Sequence, residues 1–309
     1  MTGRGRGPMG TYPGLRRKPD EPYSRTPIRQ EYEYTPAAAT LRIAPGTAPL
    51  VRRLRQQTWL RKALILAALA VLWEAIARWQ HNDLLLPSFL QTASAFFDGI
   101  ASGELLDRIR TSLAVLIQGY AAGVLAAFVL TALAASTRAG RDLLETLTSM
   151  FNPLPAIALL PLALLWFGLG KGSLIFVIVH AVLWPLALGA YAGFQSVPET
   201  LRMAGRNYGL SGLRLVLHIL VPAALPSILS GLKIGWAFAW RTLIAAELVF
   251  GTTSGQGGLG WYIFQNRNEL YTDKVFAGLA AVILIGLLIE NAVFRPLERI
   301  TVLRWGMQR

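Results

Sequence analysis

"GRNYGLSGLRLVLHILVPAALP" occupies Gly205 to Pro226. It is basic, marked by glycines, and closes on two prolines, Pro222 and Pro226. Behind it runs one of the longest apolar stretches of the chain, residues 226–250. A polar interruption of this kind between apolar runs separates two membrane spans, and its side of the membrane follows from its arginines.

The surrounding composition agrees. The chain has 309 residues, 53% of them hydrophobic and only 15% charged, against about 25% charged in ordinary soluble domains. Mean hydropathy is +0.43. With no cysteine, disulfides, thiolate metal sites and cysteine nucleophiles are excluded. The three histidines, His81, His180 and His218, stand too far apart in sequence for a short metal-ligand pair. The formal charge of +13 does not point to nucleic acid. Its basic residues gather in the first 62 positions and at the ends of apolar runs, as in cytoplasmic anchoring of membrane helices.

A helix that crosses a bilayer needs about 20 mostly apolar residues. Six segments qualify, at about 60–79, 111–135, 150–168, 172–194, 226–250 and 275–294. The third is the least regular, interrupted by Pro153, Pro155 and Pro161. Residues 87–108 read as a short amphipathic helix outside the core. Lys and Arg concentrate before the first span, between the second and third, between the fourth and fifth, and after the sixth. That bias places both termini in the cytoplasm. Residues 1–58, rich in Arg, Pro, Gly and Tyr, lack an apolar face and read as a disordered basic cytoplasmic tail. They also lack the apolar core of a signal peptide. Residues 59–309 form the membrane domain, with a long cytoplasmic loop at 195–225.

Nucleotide chemistry is not evident. "GQGGLG", Gly255–Gly260, matches a dinucleotide-binding spacing but follows a membrane helix rather than a strand. It reads as a flexible external loop. "GLGKGS", Gly168–Ser173, fails the P-loop spacing. Neither a metal cluster nor a nucleophile triad is present in the pattern, so no cofactor is expected and the chain is not expected to be an enzyme by itself.

Within the cytoplasmic loop, Pro198 opens a helix near 198–208 with Glu199 in its first turn, favourable to the helix dipole. Gly209 and Gly212 are helix stops. The stretch resembles the cytoplasmic signature of ABC importer permeases: Glu-Ala-Ala, three residues, Gly, nine residues, Ile-x-Leu-Pro. Met203-Ala204-Gly205 occupies the triplet, Gly209 the glycine, and Ile219-Leu220-Val221-Pro222 the end. Met203 replaces the acid, Gly205 an alanine and Val221 a leucine. "NPLPAIALLPLALLWFGLGKGS" (152–173), Gly205-Arg206-Asn207-Tyr208-Gly209 and "LIAAELVFGTTSGQGGLGWYIF" (243–264) are similar to the nitrate, sulfonate and taurine branch.

The resemblance runs from about residue 60 to the C-terminus. It implies an all-α type I importer permease fold with about six transmembrane helices. It implies a permease subunit in the bacterial inner membrane, forming the path for nitrate, a sulfonate, taurine or a similar small anion. ATP is then hydrolysed on a separate ATP-binding subunit, gripped through Glu199, Met203, Ala204, Gly205, Tyr208, Gly209, Ile219 and Pro222. The other implied partners are a periplasmic or lipid-anchored solute-binding protein, a second copy of the permease in a homodimer, and membrane lipid, with no nucleic acid. The alternatives are an ion-coupled secondary transporter and an ABC permease for another small solute.

Ionisable groups inside spans are functional candidates by default. Lys233, Trp240 and Glu247 fall seven residues apart and share one face of the fifth span, with Arg241 beside it. That face lines the pore or the dimer interface, or else Lys233 and Glu247 snorkel to opposite ends. Glu74 and Arg78 are spaced to pair. His180 reads as an interhelical hydrogen bonder, and Glu290 as pairing with Arg295 or snorkelling.

Overall fold

Among the described residues helix α1 (Thr58–Gln80) comes first, and every element that follows is helical too. The computed structural model describes residues 58–250 and 257–303. The tail at 1–57, loop residues 251–256, and Arg304 and Arg309 lie outside that range. The chain divides at Leu60/Arg61, and the packed helices belong to residues 61–309. After α1 come α2 (Phe89–Ala101), α3 (Glu104–Ser136), α4 (Arg138–Phe151), α5 (Leu160–Phe167) and α6 (Lys171–Gln195). Then follow α7 (Glu199–Asn207), α8 (Gly212–Ala223), α9 (Leu225–Phe250), α10 (Leu259–Asn268) and α11 (Thr272–Ile289). The last continues through a π-helical turn, Glu290–Phe294, to Leu303.

By length and composition α3, α6 and the α11 continuation can each cross a membrane. Two bent pairs can each supply a further crossing: α4 with the segment Ala156–Phe167, at 88°, and α8 with α9, at 82°. Each of the six expected spans falls on one of these elements or on α1. The third is not the irregular single helix expected. Pro153 and Pro155 lack amide hydrogens and cannot continue an α-helical ladder. The chain therefore turns sharply between amphipathic α4 and short, apolar α5. The expected helix at 87–108 is likewise two helices. Gly103, at φ +82°, adopts the left-handed conformation that glycine takes without steric cost and separates α2 from α3.

Helix α6 lies at the centre, packed between α3 and α9. Lipid tails offer no hydrophobic incentive for two apolar helices to meet, so close backbone approach through small residues does much of the work. A Cβ added at Gly119 would come within 2.7 Å of Ile178, and one at Gly123 within 2.8 Å of Val182. On the other side Gly189 faces the backbone of Gly231, and Gly193 faces Ser227. Fully buried Val115, Leu116, Val177, Ile178, Val182 and Leu243 fill the spaces between. Large apolar side chains face outward instead on α1 (Leu64, Leu66, Val71) and α11 (Ile283, Leu287, Leu288), as a lipid-facing surface requires.

Candidate functional site

Helix α7 is short and amphipathic, and Gly205 is its buried residue. A Cβ at Gly205 would lie 2.8 Å from Leu215 Cδ1 and 2.9 Å from Ile219 Cγ1. The departure from alanine at this signature position thus has a local cause: α8 crosses too closely for a methyl group unless both neighbours shift. Gly209 ends α7 at φ +78°. Its amide donates to Arg206 O at 2.9 Å, and Leu210 N donates to Gly205 O at 3.0 Å, which closes the helix C-terminus. Gly212, expected as a second stop, instead begins α8 at φ +53°.

Arg202 fastens this element to the membrane core. Its Nη2 donates to Phe194 O at 2.5 Å, in the last turn of α6. A cation there meets the negative end of the helix dipole. Glu199 lies 3.9 Å from Arg202 Nε and 3.6 Å from Arg206 Nη1, pairs too exposed to add much stability. The candidate coupling residues therefore divide. Gly205 and Ile219 face the packing between α7 and α8. Glu199, Met203, Ala204, Tyr208, Gly209 and Pro222 face outward, with Tyr208 87% exposed.

The shared face of α9 meets three different environments. Lys233 Nζ lies 2.9 Å from Glu290 Oε1 and 3.6 Å from Glu298 Oε2, both on the C-terminal continuation of α11. Glu290 thus pairs with Lys233, not with Arg295, because the π-helical turn it begins brings it against α9. Trp240 is buried and donates from Nε1 to Val282 O at 3.3 Å. Arg241 is exposed, with its Nε donating to Ala237 O at 3.0 Å and its guanidinium 5.0 Å from the centre of the Phe238 ring.

Glu247 is fully buried. The Ser112 hydroxyl, on α3, lies 2.7 and 2.9 Å from its two carboxylate oxygens and donates its one proton to them. Gly260 N donates to Glu247 Oε2 at 2.9 Å, and Leu259 N donates to Ser112 Oγ at 2.8 Å. Arg108 Nη1 donates to Gly257 O at 2.9 Å. The described part of the glycine-rich loop, residues 257–260, is therefore buried and fastened rather than flexible. A Cβ at Gly260 would lie 2.7 Å from Glu247 Cβ. Glycine there permits close packing, which explains the resemblance to a dinucleotide motif without a nucleotide.

Glu74 and Arg78 pair at 2.7 Å as their spacing suggests. His180, expected to hydrogen-bond between helices, has no protein partner at either ring nitrogen and packs edge-on against Phe151 and Trp184. Sequence reading passed over Ser112 and Leu215, and Arg108 and Arg202 entered it only through the arginine bias that sets orientation. A serine or arginine in an apolar span was the one available signal, and it does not name a partner.

Comparison with known proteins bears on the whole arrangement. The family described as binding-protein-dependent transport system inner membrane component matches residues 84–295, more than half of the chain. The putative aliphatic sulfonates transport permease protein of Escherichia coli is 34% identical over 222 residues, covering 72% of this chain and 82% of the relative. The taurine transport system permease protein of the same organism is 32% identical, covering 76% and 86%. The nitrate import permease protein of Synechocystis is 28% identical, also covering 76% and 86%. The broken third span, the short helix fastened to the end of α6 and the signature around Gly209 all lie within the matched region. This chain belongs to the family of binding-protein-dependent transport system inner membrane components, the membrane permeases of ABC transporters, in its sulfonate, taurine and nitrate branch.

Proposed function

We propose that the chain forms the translocation path of an ATP-driven importer for a small anionic solute: nitrate, a sulfonate, taurine or a close chemical relative. A separate ATP-binding subunit supplies the energy, and a solute-binding protein delivers the cargo at the outer face of the bacterial inner membrane. A second copy of this chain completes the path. Residues 59–309 are the permease proper, and 1–58 a basic cytoplasmic tail. The names of the related permeases support the solute class.

The observation that carries the coupling step is the arrangement of α7. Arg202 ties it to the end of α6, and Gly205 seats it against α8. Its outer face, with Met203, Ala204 and Tyr208, is left for a partner. A partner that alternates between two shapes can do work only on an element held firmly enough to transmit the difference. Helix α7 meets that requirement, since Arg202 bonds it to the central helix and Gly205 packs it on α8, which leads into the bend before α9. Met203 at the acid position makes this contact one of packing, with Glu199 one turn earlier supplying the charge.

Reconstitution tests the reading. The permease co-purified with its ATP-binding subunit and placed in liposomes with the binding protein should import a radiolabelled anion from a panel of nitrate, taurine and methanesulfonate only when ATP is inside. Uptake without ATP, driven by an ion gradient, would establish a secondary transporter instead. ATP hydrolysis stimulated by the loaded binding protein with no uptake from this panel would leave the coupling and remove this solute class.

A further inference from the structure

A cavity of about 520 Å³ lies where the third span breaks. Asn152 and Pro155 of the break form one wall, His180 and Trp184 of α6 a second, and Phe238 and Thr242 of α9 a third. Its volume is in the range of small-molecule sites, about 300–1,000 Å³. Three features set it apart from a packing defect between apolar helices.

The first is its donors. Trp184 is 94% buried by its 6% relative exposure, and its indole N–H has no protein partner. Both ring nitrogens of His180 are also without one. Buried polar groups in proteins are nearly always hydrogen-bonded, so each exception calls for a reason. Among the described residues, His180 and Trp184 line the same cavity as Asn152 and Thr242, with the three nitrogens themselves just behind its surface. The second feature is charge. Among the described residues no carboxylate lines the cavity, while Arg241 lies over Phe238, one of its wall residues. The third is the break itself. Irregular backbone at membrane depth is tolerated where it borders a polar cavity, and discontinuous helices commonly frame solute sites.

We propose that this cavity is a solute station on the translocation path, shaped for one small organic anion of the sulfonate type. The Trp184 N–H, the His180 imidazole and the Thr242 hydroxyl take the oxyanion, and Pro155 and Phe238 take its apolar body. Arg241 draws the anion in from the rim. The placement suits transit: neutral donors hold the anion inside, and the full positive charge stays outside the cavity, so the solute is bound loosely enough to leave. The Phe151 and Trp184 rings stack with centroids 5.4 Å apart, and binding requires a side-chain rotation that turns the shielded Trp184 nitrogen toward the solute.

The proposal rests on the anion-importer reading, and its test separates the two. The complete transporter, without binding protein, is titrated with taurine, methanesulfonate and nitrate by calorimetry, and uptake is measured with saturating loaded binding protein. Wild type should bind methanesulfonate and taurine directly. Trp184→Phe, which keeps the ring and removes the donor, and His180→Phe should each weaken that binding about tenfold. Uptake should slow while ATPase stimulation by loaded binding protein stays at the wild-type level. If wild type imports no anion of the panel, the anion reading fails. If it imports one but shows no direct binding, or if both variants bind and transport like wild type, the cavity is not a station and the importer reading stands. Should Trp184→Phe fail to assemble, His180→Phe and the wild-type titration still decide the matter.

Discussion

The Ser112 hydroxyl reaches across 135 positions of sequence to lie 2.7 Å from the buried carboxylate of Glu247. The same hydroxyl accepts a bond from Leu259 N, and the same carboxylate one from Gly260 N. Helix α3, helix α9 and the start of α10 are thereby joined through two side chains. Ser112→Ala should remove both of the hydroxyl's bonds and cost about 1–3 kcal/mol for each buried group left unmatched. Glu247→Gln should cost less, since the amide oxygen still accepts from Gly260. The apparent Tm of the purified permease in detergent checks the order, and a Ser112→Ala protein as stable as wild type would count against the latch.

Gly205 and Gly209 fail for different reasons when substituted. Gly205→Val pushes a branched side chain into Leu215 and Ile219, so it should loosen α7 from α8 and lower the yield of assembled transporter. Gly209→Asp keeps the packing but places a side chain on a left-handed residue and a negative charge at the helix C-terminus. Left-handed geometry and misplaced charge each cost about 1 kcal/mol. This variant should fold, and the transporter assembled with it should hydrolyse ATP slowly and import almost nothing. Uptake and ATPase rates measured on one preparation distinguish the two failures.

Lys233 stands between two acids, Glu290 and Glu298. Lys233→Ala leaves the acids without their counter-charge, and Lys233→Ala with Glu290→Ala removes that repulsion. The double variant should recover part of the stability lost in the single one. A coupling of about 0.5–1 kcal/mol is expected for a partly exposed pair. Strictly additive losses in thermal unfolding would show that the three residues act independently.

Arg241 is exposed and held over Phe238 rather than paired with an acid. Arg241→Leu should reduce anion uptake about tenfold, while co-purification with the ATP-binding subunit is unchanged. Arg241→Lys should recover part of the rate, because the charge remains but the planar contact with the ring is lost. Normal uptake by Arg241→Leu would remove this residue from the path.

Apolar run length and arginine bias located the spans, because a bilayer imposes its thickness directly on the sequence. Gly205, Gly209 and Ile219 were recognisable through spacing, since a turn and a close helix crossing each demand a particular residue at a particular place. Partner choice was not recognisable. Lys233, Trp240 and Glu247 do share a helical face, yet that face meets an acid pair, a backbone carbonyl and a serine on three different segments. Glu290 stands nearer in sequence to Arg295 than to Lys233, and only the π-helical turn reverses the preference. Pro153 and Pro155 marked the third span as irregular, but proline in a membrane helix is compatible with a mild kink as well as an 88° turn. The depth of the turn depends on what fills the space beside it, and that belongs to α6 and α9.

The elbow at Ala224 gives α9 a mechanical property. Its inner end adjoins the segment on which α7 rests, and Glu247, with the outer loop fastened to it, stands roughly 33 Å away along one continuous rod. A tilt of about 10° at the elbow would carry the far end some 6 Å, close to one helical turn. One rigid strut could therefore report events at the inner surface directly to the outer mouth, with no relay of side chains in between.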